Sequence, residues 1–129
     1  MNSDAPEKIR MGFFDFACCE GCQLTVLELN EKLLDLLEHV EFVEWREVAT
    51  KRSATLDVAF CEGSITRESD LRYIHEIREK SRILVTLGAC ASTGCHNELK
   101  NDQPMEKVLE TVYGDQAKFY STMPSRPIT

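Results

Sequence analysis

Residues 9–22 read IRMGFFDFACCEGC and join an apolar run directly to a cluster of cysteines. The part over 9–16 is mainly apolar and aromatic, which is typical of a buried β-strand. The residues that follow the cysteines have the periodicity of a helix. A buried strand that leads through a short loop into a helix is the start of a β–α–β unit, so this stretch favours an α/β fold.

The rest of the chain continues the alternation of strands and helices. Apolar runs predict further strands over 40–48, 56–60 and 83–87, and 117–120 is expected to begin a fifth strand. Spacings of three and four residues predict a helix over 26–40, with an apolar face made by Val26, Leu29, Leu33, Leu36, Leu37 and Val40.

Two later helices are also predicted. Leu71, Ile74 and Ile77 mark one, and Pro104 and Gly114 bracket the other. Alternating strands and helices imply a three-layer α/β fold, with a mainly parallel sheet of four or five strands. The domain plan is a polar lead over 1–8 and a single domain over 9–129.

Composition excludes several classes of function. The chain has 129 residues and a net charge of −7, and no basic patch of the kind that nucleic-acid binding needs. No apolar stretch is long enough to span a bilayer, and the N-terminus lacks the apolar region of a signal peptide. We therefore predict a cytoplasmic protein, in which six cysteines are more often ligands or redox groups than disulfides.

The strand ends bring these cysteines together. Cysteines occur in three loops that leave predicted strands, over 18–22, at 61 and over 90–95. Because the carboxyl ends of parallel strands share one edge of the sheet, residues far apart in sequence should converge there.

Cys19 and Cys22 form a Cys-x-x-Cys pair that opens a helix. The helix N-terminus is expected to stabilise thiolates through its free N–H groups and its dipole. The pair alone fits a zinc half-site, a thiol–disulfide redox pair or half of an iron–sulfur site. Cys90 adds a third thiol in a loop of small residues, which let backbone amides approach a bulky inorganic cluster.

Three segments together resemble a known family. FFDFACCEGCQL (13–24), FCEGSI (60–65) and GACA (88–91) are similar to the small subunit of cytosolic, short-type [NiFe]-hydrogenases, which is related to the 20-kDa subunit of NADH:ubiquinone oxidoreductase. The resemblance implies a flavodoxin-like domain that holds one [4Fe–4S] cluster. It also implies partners, namely a large subunit with the nickel–iron centre and further redox subunits.

The resemblance assigns roles to individual residues. Cys19, Cys22 and Cys90 match three of the four cluster ligands. The fourth ligand belongs to a later Pro-Gly-Cys-Pro-like motif that this sequence lacks, so the chain is expected to be C-terminally truncated. The residues that could substitute for this ligand are Cys95, Cys61 and Cys18. Residues around the cluster or on a proton route are Glu20, Gly21, Glu62, Gly63 and Gly88.

Three other functions fit parts of the sequence. A thioredoxin-like oxidoreductase also has a Cys-x-x-Cys pair between a strand and a helix, and a zinc-stabilised binding module needs only the thiols. Cys61 and Arg67 have the Cys-x5-Arg spacing of cysteine phosphatases. The oxidoreductase would not need Cys90, and in a phosphatase Glu62 would place a like charge near the phosphate.

Overall fold

The computed structural model describes residues 7–48 and 55–129, so most of the predicted polar lead lies outside it. Within these residues the strands are β1 (Ile9–Asp15), β2 (Val40–Trp45), β3 (Leu56–Glu62) and β4 (Ser81–Leu87). They form one parallel sheet in the order β2-β1-β3-β4. This sheet with its flanking helices confirms the predicted flavodoxin-like α/β layout.

Seven helical segments complete the described part of the chain. They are α1 (Gly21–Leu27), α2 (Glu31–Leu37), α3 (Glu68–Lys80), α4 (Gly88–Thr93), α5 (Met105–Tyr113) and two 3₁₀ helices, Cys95–Asp102 and Gly114–Phe119. Helices α3 and α5 agree with the two later helices predicted from the sequence. None of the helices in the described residues is long and apolar enough to cross a membrane.

The two faces of the sheet carry different side chains, because successive residues of a strand point to opposite sides. Phe14 of β1 is in register with Cys61 of β3, and both pack in a core cluster with Ile77 of α3. On the opposite face, the ring of Phe13 stacks on Trp45 and Phe60 with centroid separations of 4.1 and 4.9 Å. The core therefore lies on both sides of β1 and β3.

The single helix predicted over 26–40 is wrong. The chain forms α1 and α2 instead, because Asn30 adopts a φ of 50° that no right-handed helix accommodates. Of the expected apolar face only Val40 is buried, whereas Leu29 and Leu37 are 44% and 38% exposed. Correct periodicity did not guarantee burial here.

The predicted fifth strand over 117–120 is also wrong. Those residues belong mainly to the second 3₁₀ helix, and the sheet of the described residues has four strands. The chain then runs back past the loops after β3 and β4. Ile65 and Arg126 exchange two backbone hydrogen bonds, and the N–H of Ile128 donates to the carbonyl of Ala91. Residues 117–120 therefore do not add a fifth strand beside β4.

Candidate metal centre

The loops after β1, β3 and β4 meet at one edge of the sheet, which we call the carboxyl edge (residues 16–20, 63–65 and 88–95). Ala17 and Ser64 exchange two backbone hydrogen bonds of 3.1 and 3.0 Å. Gly88 lies so close to Cys22 that a Cβ built on this glycine would overlap the Cys22 sulfur. The convergence expected from a parallel sheet is therefore present.

Cys19, Cys22 and Cys90 lie within electrostatic reach of one another at the carboxyl edge. Burial raises the pKa of Cys22, and the charge of Glu62, a hydrogen bond with Glu62 and then the charges of Cys19 and Cys90 raise it further. The pKa of Cys90 is raised as well, with Cys19 among the causes. Such mutual effects require neighbouring thiols.

Glu62 opposes the expected stabilisation of a Cys22 thiolate by the α1 N-terminus. The carboxylate of Glu62 already accepts hydrogen bonds from the N–H groups of Cys22 and Gln23, at 3.2 and 3.3 Å. Its negative charge then opposes a second negative charge on the Cys22 sulfur. Burial and this repulsion raise the pKa of Cys22.

Cys95 joins the three thiols from the side of Cys90. Burial is the largest cause of the raised pKa of Cys90, followed by the charge of Cys95 and a hydrogen bond with Cys95. The Cys95 sulfur also lies 3.2 Å from Nδ1 of His96. Cys95 has a φ of 48°, a left-handed conformation that is uncommon for residues other than glycine.

Cys18 and Cys61 have different surroundings. Burial raises the pKa of Cys18 to about 11, although the backbone N–H of Glu20 opposes that rise. Cys61 is fully buried in the core cluster beside Phe14, and burial raises its pKa to about 12. The structure does not bring Cys61 to the other thiols, and a buried neutral thiol is the opposite of the nucleophile that a cysteine phosphatase needs.

The two glutamates that the sequence singled out also differ. Glu62 ends β3 and is 2% exposed, with its carboxylate bound to the N-terminus of α1. Glu20 precedes α1 with a φ of 63°, and its carboxylate pairs with Arg46, which also contacts Asp15 at 3.1 Å. Glu62 is therefore an interior carboxylate, whereas Glu20 belongs to a surface ion-pair network.

Glycines permit the close approach of the loops. Gly63 has a φ of 93°, and a Cβ there would lie 2.8 Å from the backbone carbon of Phe16. Gly88 has a φ of 83° and faces Cys22. A Cβ on Gly21 would lie 3.3 Å from the Cys19 sulfur. Any larger side chain at positions 63 and 88 would separate the loops.

The candidate metal-binding groups at the carboxyl edge are cysteine thiols. Among the described residues, no group of three or more His, Cys, Asp or Glu side chains is arranged to hold a single metal ion. A multi-iron cluster differs from a single ion, because each thiolate binds a different iron and the sulfurs stand farther apart. Thiolates are the usual ligands of such clusters.

Sequence reasoning missed Asn97 and Arg46. The Asn97 side chain donates hydrogen bonds to Ala17 and Ser64, and Arg46 pairs with Asp15 and Glu20. Neither residue lies in a recognisable motif. These partners are 26 or more residues away in sequence, so no local signal could have found them.

The fold is thus an α/β fold with a parallel sheet and several thiols at its carboxyl edge. Residues 19–124 match the family model described as NADH ubiquinone oxidoreductase, 20 Kd subunit, and the chain belongs to this family. The resemblance drawn from the three sequence segments is therefore confirmed.

Several similar proteins carry the names of hydrogenase subunits. A subunit of the F420-non-reducing hydrogenase vhu of Methanococcus voltae is 38% identical over 111 residues, which cover 85% of this chain and 39% of the relative. An iron-sulfur subunit of the F420-non-reducing hydrogenase of Archaeoglobus profundus is 25% identical over 114 residues, covering 81% of this chain and 36% of the relative. The chain thus spans about two fifths of the length of these relatives.

A solved structure agrees in fold. A chain in the crystal structure of an NAD+-reducing [NiFe]-hydrogenase in the H2-reduced state has a TM-score of 0.84 and 25% sequence identity with this protein. The match covers 95% of this chain and 76% of that chain.

Proposed function

We propose that this chain is the electron-transfer subunit of a [NiFe]-hydrogenase-type complex, and that Cys19, Cys22 and Cys90 hold one [4Fe–4S] cluster. The observation that carries the proposal is the meeting of these three thiols at one edge of the sheet, from two loops separated by about half of the chain. The hydrogenase subunits among the relatives, one of them named an iron-sulfur subunit, support it.

The residues at the carboxyl edge fit an iron–sulfur cluster. The thiols are soft donors, and Gly88 leaves open the space beside the Cys22 sulfur that a Cβ would fill. When bound, the cluster supplies one-electron transfer. For the fourth ligand, the electrostatic effect of Cys95 on the nearby Cys90 supports Cys95, whereas the burial of Cys61 in the core argues against that residue.

In this proposal, the protein itself holds and orients the cluster ligands and shields the cluster from solvent. Glu62 fixes the start of α1 through the N–H groups of Cys22 and Gln23, and so orients the Cys22 side chain. In this proposal Glu62 is also the carboxylate of a proton route, since it is buried beside Cys22 at the start of α1. Glu20 is less suited, because Arg46 neutralises its charge at the surface.

The proposed partners are a large subunit with the nickel–iron centre and further redox subunits. Large apolar side chains are exposed on the elements next to the thiols: Leu24 on α1 is 49% exposed, and Leu99 on the first 3₁₀ helix is 72% exposed. The aromatic residues Phe13, Phe14 and Trp45 are buried in the core. Exposed apolar groups beside a redox site support a surface that a partner covers.

Anaerobic purification with the proposed partner subunits tests the cluster. We expect a brown protein that contains iron and inorganic sulfide, with visible absorption that fades on reduction. Replacing Cys19 or Cys22 with Ala should abolish electron transfer to downstream acceptors. Two or more equivalents of zinc without iron would favour the zinc-stabilised module, and a colourless protein with a reducible Cys19–Cys22 disulfide would favour the thioredoxin-like function. The cytoplasmic location stays a prediction for cell fractionation.

A further inference from the structure

Asn97 connects all three loops of the carboxyl edge with one side chain. It lies on the first 3₁₀ helix, two residues after Cys95. Its Nδ2 donates one hydrogen bond to the carbonyl oxygen of Ala17 and another to Oγ of Ser64, both 2.7 Å long. These acceptors belong to the loops after β1 and β3. We call the three residues the Asn97 clasp.

The two acceptors of the clasp belong to a rigid unit. Ala17 and Ser64 exchange two backbone hydrogen bonds, and Ser64 is fully buried. The loops also touch backbone to backbone at Gly63, where there is no room for a Cβ. The Cys19–Cys22 segment follows directly from this unit. A group bonded to both Ala17 and Ser64 is therefore fixed relative to those thiols.

The segment that carries Cys90 and Cys95 consists of α4 and the start of the first 3₁₀ helix. After β4 ends at Leu87, it turns through left-handed conformations at Gly88, Gly94 and Cys95. Asn97 is the side chain that bonds this segment to the rigid unit. Its amide donors reach both acceptors only if the turn at Gly94 and Cys95 keeps its present shape.

We propose that Asn97 is a positioning residue that holds the Cys90–Cys95 segment against the Cys19–Cys22 segment. The importance of this spacing for a cluster rests on the proposed function. The spacing can be measured in protein prepared without iron.

Asn101 provides a matched control in the same element. It lies one turn farther along the first 3₁₀ helix, and its side chain makes two hydrogen bonds of 2.7 Å with the backbone of Ser125. It therefore has the same residue type and a comparable number of bonds. Its partner, however, is the C-terminal segment, which carries no thiol.

The test compares Asn97→Asp with Asn101→Asp in the full-length protein, metal-free and fully reduced. Aspartate has the shape of asparagine but offers no N–H donor. After brief treatment with oxidised glutathione, peptide mapping counts disulfides that join Cys19 or Cys22 to Cys90 or Cys95, relative to Cys90–Cys95 disulfides. We expect this ratio to fall about fivefold or more in Asn97→Asp, the effect of losing roughly one net hydrogen bond. The ratio should stay unchanged in Asn101→Asp.

Ser64→Ala is a milder second variant, because it removes one acceptor and leaves the Ala17 carbonyl. Its ratio should fall in the same direction but by less. A wild-type ratio in folded Asn97→Asp, or an equal fall in Asn101→Asp, would overturn the proposal. Iron content distinguishes the failure of the proposed cluster from the failure of the proposed role of Asn97. Wild-type protein without iron but with the expected disulfide ratios would refute the cluster and leave the role of Asn97 intact. Normal iron content and normal disulfide ratios in Asn97→Asp would refute the role of Asn97 alone.

Discussion

The carboxyl edge and the core cluster use the same residue type in opposite ways. Cys61 lies in the core beside Phe14, is fully buried and keeps its proton, with a pKa of about 12. Cys22 lies at the edge beside other thiols and a carboxylate. Cys61 and Glu62 are adjacent in β3, yet strand alternation directs the first into the core and the second towards α1. Position on the sheet therefore decides what a cysteine can do.

The two regions also differ in backbone conformation. Residues with positive φ occur at the edge in each of its loops, at Glu20, Gly63, Gly88, Gly94 and Cys95. In the described residues of β1 to β4, positive φ values are absent. Conformations of this kind persist where surrounding contacts impose them, and they cluster at functional sites. The backbone of the carboxyl edge lets the loops approach one another closely, whereas the core cluster packs side chains densely.

Replacing Gly88 with Ala should have the largest effect of the variants considered, because it alters the carboxyl edge and not the core cluster. The strain of a positive φ costs roughly 1–3 kcal/mol, and overlap with the Cys22 sulfur adds about 1–3 kcal/mol. Because that sulfur must move, iron content should fall sharply. Denaturant unfolding and iron analysis measure the two effects.

Gly114→Ala is the control for Gly88→Ala. Gly114 also has a positive φ, of 52°, but a Cβ there meets no atom within 4 Å. We expect a strain cost of roughly 1–3 kcal/mol with full iron content. Equal iron contents in the two variants would contradict the assignment of Gly88 to the site.

Replacing Glu62 with Ala leaves the N–H groups of Cys22 and Gln23 without their acceptor. We expect a loss of about 1–3 kcal/mol in the free energy of unfolding. The pKa of Cys22 should also fall, since the carboxylate's charge and hydrogen bond no longer raise it. The pH dependence of Cys22 alkylation in the metal-free protein measures this change.

Asp70→Ala is the control for Glu62→Ala, at a helix start that lies away from the thiols. Asp70 accepts hydrogen bonds of 3.0 Å from the N–H groups of Thr66 and Arg67 before α3. Its loss should cost a similar free energy, but alkylation of Cys22 should keep its pH dependence. A shift of that dependence in Asp70→Ala would show that general loosening, and not Glu62, controls the thiol.

The smallest effect concerns the pH dependence of stability through Cys61. Its pKa is raised from 9.0 to about 12 in the folded state, so the unfolded chain loses this proton first. Stability from this group is complete below pH 9 and falls as pH rises towards 12, by about 1 kcal/mol between pH 9 and 10. Unfolding curves of Cys61→Ala should decline less steeply over this range than those of the wild type, and parallel declines would argue against it.

The limits of sequence reasoning are clearest in the helices. The same three-and-four spacing predicted α3, whose Ile77 is fully buried, and a helix over 26–40, none of whose leucines is buried. Periodicity reports which residues share a helix face, but not whether a sheet face is free to receive them. The break at Asn30 had no proline or glycine to signal it.

The sequence by itself determined the strand and helix alternation, and with it the expectation that Cys19, Cys22 and Cys90 would meet. That conclusion needs only parallel strands, whose carboxyl ends share an edge. Tertiary structure alone decided that Glu62 opposes a Cys22 thiolate, that Cys61 is an interior thiol and that Asn97 bonds the loops. Those facts depend on contacts between residues distant in sequence, and burial and charge at such contacts exist only once the chain is folded.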